Sequence, residues 1–376
     1  MNARDLLRDP RALAGAAVLL AVVIGAALFA RSGEPVAAPE TSTTVSATTS
    51  SPTSTSAPTS TSTTAAAPAS FPLNGEAADQ ESILRRVLVA KIDNSPSGRP
   101  QVGLAEADLV IDVLVEGGTS RLLAFYHSED PQQLGPVRSV REVDPKLVAP
   151  FIPISAHSGG VPEVEAALRE VAFDLGHPVV PSAYRRDPNR PAPYDLIADP
   201  AALRAAGPPP AEEPLATTLE FDDQPLDGET AVTVEIRMSP DHQVTYRYSE
   251  VDGGYLRFHG DRPHEDASGR HLAATNVVVL FVQELETSRT DVSGAPVPDY
   301  EVLGSGAAVV FRNGQALAGT WERGRLQDFF RLVGPGGQAI RLDPGTTWIQ
   351  LAPPEATLSS VGATGAGPTR AHGSVH

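Results

Sequence analysis

Apolar residues between positions 85 and 200 come in short runs that alternate between strand-like and helical spacing. Arg86–Ile92 (RVLVAKI) reads as a buried strand and Val102–Ala107 as a short helix. Leu109–Glu116 and Arg121–His127 read as strands, the first almost continuously aliphatic. Asp144–Pro150 predicts a helical turn and Ile152–Ala156 another strand. Pro162–Val171 predicts a helix with proline in its first turn, where the missing N–H has no partner to lose. This alternation predicts an N-terminal α/β-type layered domain over residues 71–205.

Helical spacing then disappears. Thr230–Arg237, Val244–Tyr248, Tyr255–Phe258, Asn276–Gln283 and Ala307–Phe311 predict short strands between Gly, Asp-Gly and Asn-Gly turns. Thr320–Glu322, Phe329–Leu332 and Thr347–Leu351 continue the series. Arg312-Asn313-Gly314-Gln315 predicts a tight hairpin, because Asn-Gly supplies the positive φ angles of a type I′ turn. Residues 230–354 are thus expected to form a mostly β C-terminal domain, a sandwich or open barrel. An acidic connector, 206–229, would join the two domains, and the tail 355–376 is expected to be disordered. The fold class is α+β.

The N-terminal seventy residues have a different pattern. Ala12–Ala30 is an uncharged run of 19 residues, near the lower limit for a bilayer-spanning helix. Arg4, Arg8 and Arg11 precede it and Arg31 follows, which places residues 1–11 in the cytoplasm and the body outside. A cleaved signal peptide is the rival reading, but Leu28-Phe29-Ala30 fits its cleavage site poorly. Residues 31–70 form a stalk that cannot bury a core: 19 of the 24 residues from Thr41 to Thr64 are Ser or Thr. Such a stalk could be a plain linker or could accept O-glycans. The expected location is the cell membrane, single-pass, with an extracytoplasmic body.

Composition narrows the chemistry. The chain has 376 residues, 29 Lys+Arg against 46 Asp+Glu, and a net charge of −17. The first 70 residues hold equal numbers of each sign, so the acidity belongs to the body. Non-specific nucleic-acid binding is disfavoured. With no cysteine, disulfides, thiolate metal sites and lipid attachment through cysteine are excluded. Lys91 and Lys146 are the sole lysines.

Polar candidates concentrate between Lys91 and Arg141. A four-residue loop would pair Glu116 with Arg121 and Asp112 with Phe125, placing Asp112, Glu116, Arg121 and His127 on one face. Arg138 and Arg141 lie three apart in Gly135-Pro-Val-Arg-Ser-Val-Arg141, and two guanidinium forks can converge on one phosphate or carboxylate. They could equally pair with Asp93, Asp112 or Asp144. His157-Ser158-Gly159-Gly160 leads from a strand into a helix N-terminus, either an anion site or a tight turn. No G-x-S-x-G elbow accompanies Ser158, which argues against a serine hydrolase. His259, His264, Glu265, Asp266 and His271 lack zinc-site spacing and read as exposed turn residues. Trp321 and Trp348 read as packing residues.

Four stretches resemble the YerB-like family, domain of unknown function 3048. They are Val89–Pro96, Arg99–Asp108, Val115–Arg121 and Gly135–Arg141. Asn276-Val-Val-Val, Gly304-Ser-Gly306, Gly319-Thr-Trp321 and Pro344–Ile349 extend the resemblance over roughly residues 72–353. It implies a two-part extracytoplasmic protein, commonly a lipoprotein. Where the family has an Arg-x-x-Pro-His-Asn-like segment, this chain has Arg190-Pro-Ala-Pro-Tyr-Asp195.

The expected function is binding of an anionic envelope component, such as a cell-wall polymer or lipid-linked glycan, or of an envelope protein. The expected binding set is Lys91, Asp93, Arg99, Asp112, Glu116, Arg121, Arg138, Arg141, His157 and Ser158, with no catalytic residue, metal or cofactor assigned. The alternative is an envelope enzyme acting on phosphate-linked glycan, with the arginines flanking Asp93, Asp112 and Glu116. A third reading is a β-rich adaptor in which every arginine is internally paired.

Overall fold

A computed structural model describes residues 69–216, 219–291 and 294–362. The expected cytoplasmic segment, the membrane anchor, the stalk up to residue 68 and the tail from 363 lie outside the described residues. Among the described residues, no helix is long and apolar enough to cross a membrane.

Strands predominate. β1 (Ala69–Ser70) and β2 (Ala77–Ala78) make a small ribbon. β3 (Leu88–Asp93), β4 (Leu109–Leu114) and β5 (Ser120–Tyr126) are buried along their whole length, followed by β6 (Ile154–Ala156) and β7 (Phe173–Asp174). β8 (Tyr184–Arg186) and β9 (Leu196–Ala198) form a second ribbon. The C-terminal part contributes β10 (Glu229–Thr230), β11 (Thr233–Ser239), β12 (His242–Ser249), β13 (Gly254–His259), β14 (Arg262–Pro263) and β15 (Ala273–Ala274). β16 (Asn276–Phe281), β17 (Gln283–Leu285), β18 (Asp299–Glu301), β19 (Gly304–Arg312) and β20 (Gln315–Arg323) come next. β21 (Arg331–Val333), β22 (Thr347–Ala352) and β23 (Thr357–Val361) close the series. Short helices Asp144–Val148, Pro162–Arg169 and Pro200–Ala206 all belong to the N-terminal part.

Strands of both parts join in one eleven-stranded sheet, ordered β10-β20-β19-β16-β22-β4-β5-β3-β6-β7 with β21 on β20. At its centre β22 runs parallel to both β16 and β4, with Thr347 beside Leu109 and Gln350 beside Asp112. Parallel strands are covered on both faces, and β4 and β22 are accordingly buried at every position. One face of this seam meets the second sheet, β14-β13-β12-β11-β23 with β15 on β13, through Gln350 Nε2 donating to Tyr246 Oη at 2.9 Å. The other face packs against the helical side, where Phe125, Phe151 and Phe329 follow one another at 5.0 and 5.1 Å. Trp321 and Trp348 are buried, as expected of packing residues.

Two local expectations are corrected. Val102–Ala107 is not helical: Val102 exchanges backbone hydrogen bonds with Gly135, and Gly103 sits at φ +75°. A side chain at Gly103 would meet the Gln133 carbonyl, so this stretch is pinned as an extended turn. The region after Glu355 is ordered as far as residue 362, because Thr357–Val361 adds an antiparallel edge strand to β11. The Arg312–Gln315 hairpin is as expected, with Asn313 and Gly314 at φ 52° and 69°.

Candidate functional site

The β4–β5 register decides which polar residues meet. Leu114 pairs with Ser120, Val113 with Arg121 and Asp112 with Leu122, so the loop holds five residues, 115–119. It turns through Gly117 and Gly118, both at positive φ. The expected four-residue loop had the opposite parity, and that change puts Asp112 and Arg121 on opposite faces. Arg121 instead pairs across with Asp93 of β3, and Lys91 shares that face two residues along. His127 is buried away from this group, its ring 5.3 Å from Phe71.

On the Arg121 face an open cleft of about 1040 Å³ is lined by Glu116, Arg121, Arg138, Ser139, Arg141 and Ser158, with Arg186 and Arg289 farther along its wall. Its wall is the extended segment Val137–Arg141. Arg138 N–H donates to the Lys91 carbonyl at 2.8 Å, and Val140 N–H donates to the Gly159 carbonyl at 3.0 Å. These bonds wedge the segment between β3 and the loop after β6, and its side chains project from a fixed backbone.

Each cleft arginine is held in place. Arg141 forks onto Glu116, with Nε 2.7 Å from Oε2 and Nη2 on Oε1. Arg121 Nη2 reaches the same Oε1 at 3.0 Å and its Nη1 donates to the Ser139 carbonyl at 2.8 Å. Arg138 Nε lies 3.0 Å from Asp93, and its Nη1 donates to the Pro193 carbonyl at 2.9 Å. The Arg138 guanidinium also sits 5.4 Å from the Tyr194 ring, within the segment that departs from the family pattern. Ser139 and Ser158 hydroxyls are 3.2 Å apart. Burial opposes ionisation of Glu116, but the Arg141 hydrogen bond and the charges of Arg121 and Arg141 outweigh it and hold the carboxyl at about 2. Burial and the neighbouring Arg141 bring Arg121 down to about 10, so it too is charged at neutral pH.

Five expected binding residues do not line the cleft, and Asp93 is one of them: it is buried and holds Arg138. Lys91 is buried, its ammonium 2.7 Å from Asp144. Burial pulls its pKa down, and Asp144 works against that. Asp144 also accepts from the Arg141 backbone N–H at 2.8 Å, so Lys91 acts as a support beneath the Arg141 loop. The His157 ring is buried: Gly159 N–H donates to Nδ1 at 3.0 Å, leaving Nε2–H to donate to Asp174 at 2.8 Å. With both nitrogens engaged, it cannot serve Ser158 as a base. Arg99 turns back onto the Asn94 carbonyl at 3.1 and 3.0 Å. Asp112 belongs to the opposite face.

There Asp112 anchors a buried network between the sheets. Arg257 Nη2 donates to its carboxylate at 2.7 Å, and His242 Nε2 approaches the same oxygen at 3.1 Å. Arginine only donates. His259 Nε2 at 2.9 Å and His264 Nδ1 at 2.5 Å are therefore acceptors from Arg257, and His264 Nε2–H donates to Gln101 at 2.8 Å. The expectation of exposed turn residues fails for His264 and Asp266, which are buried. Among the described residues, no group of three or more His, Asp or Glu is arranged to hold a metal ion.

Ser139, Arg186, Tyr194, Asp174 and Arg257 were not singled out from the chain. Ser139 had a signal, lying between the two flagged arginines. Arg257 had one too: in the strand Gly254–His259 it occupies an inward position in line with Tyr255. Tyr194 lies in Arg190–Asp195, the segment marked by its departure from the family pattern, while Arg186 and Asp174 reach the site through tertiary folding and carry no local mark.

The sequence of this β-rich body matches a known family in both of its parts. Residues 73–209 match the N-terminal domain, and 234–349 the C-terminal domain, of the family described as protein of unknown function (DUF3048). The chain belongs to this YerB-like family. It is similar to the candidate lipoprotein YerB of Bacillus subtilis (strain 168), 28% identical over 294 residues, 75% of this chain and 86% of that protein. The crystal structure of YerB protein from Bacillus subtilis aligns with a TM-score of 0.66 and 25% identity, covering 78% of this chain and all of that one.

Proposed function

We propose that this chain is a membrane-anchored, extracytoplasmic envelope protein whose cleft captures an anionic envelope component. Residues 12–30 serve as the anchor, in place of the lipid that the name of the YerB relative implies for that protein. Residues 31–68 serve as a stalk that carries the body away from the membrane, since Ala69–Ser70 already pair with Ala77–Ala78 of the body. The observation that carries the reading is the setting of Arg121, Arg138 and Arg141 around one open cleft beside the Ser139 and Ser158 hydroxyls. Such a wall offers charged and neutral donors to oxyanions at fixed positions. The body as a whole is acidic, so long-range attraction does not recruit a polyanion. Recognition must come from these short-range donors, which makes it selective.

The test is co-sedimentation of the full-length chain, in detergent micelles, with cell walls before and after removal of their anionic polymers. Binding to intact walls that drops at least tenfold on stripping supports the reading. Equal binding to both overturns it.

A further inference from the structure

The Glu116 carboxylate is gripped by three donors from two arginines: Arg141 Nε and Nη2, and Arg121 Nη2. One carboxylate thus faces two guanidiniums, and the set carries one net positive charge. All three side chains are largely shielded, at 11% exposure for Glu116, 7% for Arg121 and 18% for Arg141. Two such cations left without a counter-ion are strongly penalised unless another anion enters.

The two sides of this contact are not equally anchored. Arg121 Nη1 is fixed on the Ser139 carbonyl at 2.8 Å, Arg141 Nη1 on the Val140 carbonyl at 3.0 Å, and the Arg141 backbone N–H on Asp144. Glu116 instead comes from the turn Glu116–Gly118, whose Gly117 is exposed and would have nothing within 4 Å of an added Cβ. Ser239 Oγ holds the turn at the Gly118 carbonyl, at 2.5 Å. Thr119 Oγ1 also donates to the Glu116 carbonyl at 3.3 Å and Val115 N–H to the Thr119 carbonyl at 2.8 Å, so the turn is closed. Each arginine nevertheless keeps bonds that do not depend on Glu116, which sits on a turn with two positive-φ glycines.

We propose that Glu116 is a built-in competitor: its carboxylate fills the seat of a ligand oxyanion, and the ligand displaces it from Arg121 and Arg141. This rests on the cleft reading above and adds the class of anion and how the seat is guarded. The ligand group is a phosphate, because Ser139 and Ser158 on the same wall supply hydroxyls for the oxygens that a flat carboxylate lacks. The arginines keep Glu116 ionised at ordinary pH, so exchange runs by competition and not by protonation. The seat therefore stays closed to weak, monovalent anions and opens to a ligand that gains contacts elsewhere in the cleft.

The test uses the full-length chain in detergent micelles, with inorganic phosphate and succinate as probes. Glu116→Gln is expected to bind phosphate at least tenfold more tightly than wild type, with a smaller gain for succinate. Glu116→Asp, whose shorter arm cannot span both arginines, should move the same way and serves if the glutamine variant fails to fold. In wild type, saturating phosphate should raise amide exchange across residues 115–120. If neither variant tightens binding while intact walls are still bound, the competitor role is overturned and the cleft reading stands. A larger gain with succinate overturns the phosphate assignment. If wild type and variants bind neither probe nor walls, both readings fall.

Discussion

Arg257 Nη2 donates to the Asp112 carboxylate at 2.7 Å across 145 residues of chain, and neither side chain reaches solvent. The contact joins the second sheet to the parallel seam of the first. Asp112 lies beside Gln350 in register, and Tyr246, Arg257 and His242 reach this pair of positions. A one-residue slip of β4 would turn Asp112 to the opposite face, away from Arg257 and His242, so the network also fixes register. Burial would raise the Asp112 carboxyl, but His242 and Arg257 outweigh it and hold it well below the ordinary carboxylate range.

Removing Arg257 leaves Asp112 as a buried charge. Arg257→Met is expected to destabilise the chain by about 3–5 kcal/mol, and adding Asp112→Leu should recover most of that loss. Urea midpoints at constant slope measure both steps. A loss below about 1 kcal/mol for Arg257→Met would show that the pair carries no structural weight.

Stability should decline on mild acidification. Burial, reinforced by the Arg257 charge, holds His259 and His264 below the ordinary value of 6.5. Burial likewise brings His127 down to about 4. The unfolded chain takes up these protons near 6.5 while the folded chain does not. The contribution of the neutral rings is complete above about pH 7 and drains as pH falls, at about 1.4 kcal/mol per pH unit for each ring. For His127 the loss levels off near 4. His259→Gln keeps an acceptor for Arg257 without a titrating ring and should flatten the slope by about one proton. An unchanged slope between pH 7 and 5 contradicts the assignment.

Gly98 packs against Asp93, and a Cβ there would come within 2.3 Å of Asp93 Oδ1. Gly98→Ala should displace the carboxylate that holds Arg138 and cost about 1–3 kcal/mol. Thermal melting measures the cost, and weaker wall binding should accompany it. Unaltered melting and binding would mean that Asp93 does not position Arg138.

Unfolding should be a single transition. Because β4 and β22 pair at the centre of one sheet, neither part can keep its core after the other is lost. Far-ultraviolet circular dichroism, reporting the whole body, and the fluorescence of Trp321 and Trp348, which lie in the C-terminal part, should therefore give coincident midpoints. Separate midpoints contradict a shared sheet.

What could be read from the chain was local. The aliphatic strands, the Asn313-Gly314 hairpin and the proline-started helix each follow from neighbours in sequence. The cleft was half legible, since Arg138, Arg141, Ser158 and Glu116 were marked by type and spacing. The parallel β4–β22 seam was not, because two fully buried runs carry no sign of which partner lies beside them. The face occupied by Asp112 turned on one residue in the loop after Leu114, a parity that Gly117-Gly118 leaves open. His264 looked exposed beside Gly260 and Pro263, and it is buried by a partner, Gln101, from the other part of the chain.

The most direct measurement is calorimetric titration of a purified anionic wall polymer into the full-length chain and into Arg138→Ala/Arg141→Ala, across a salt series. Two lost guanidiniums should weaken binding at least tenfold at low salt and reduce the dependence of affinity on salt. The same affinity and the same salt dependence in both proteins would contradict an arginine-lined capture site.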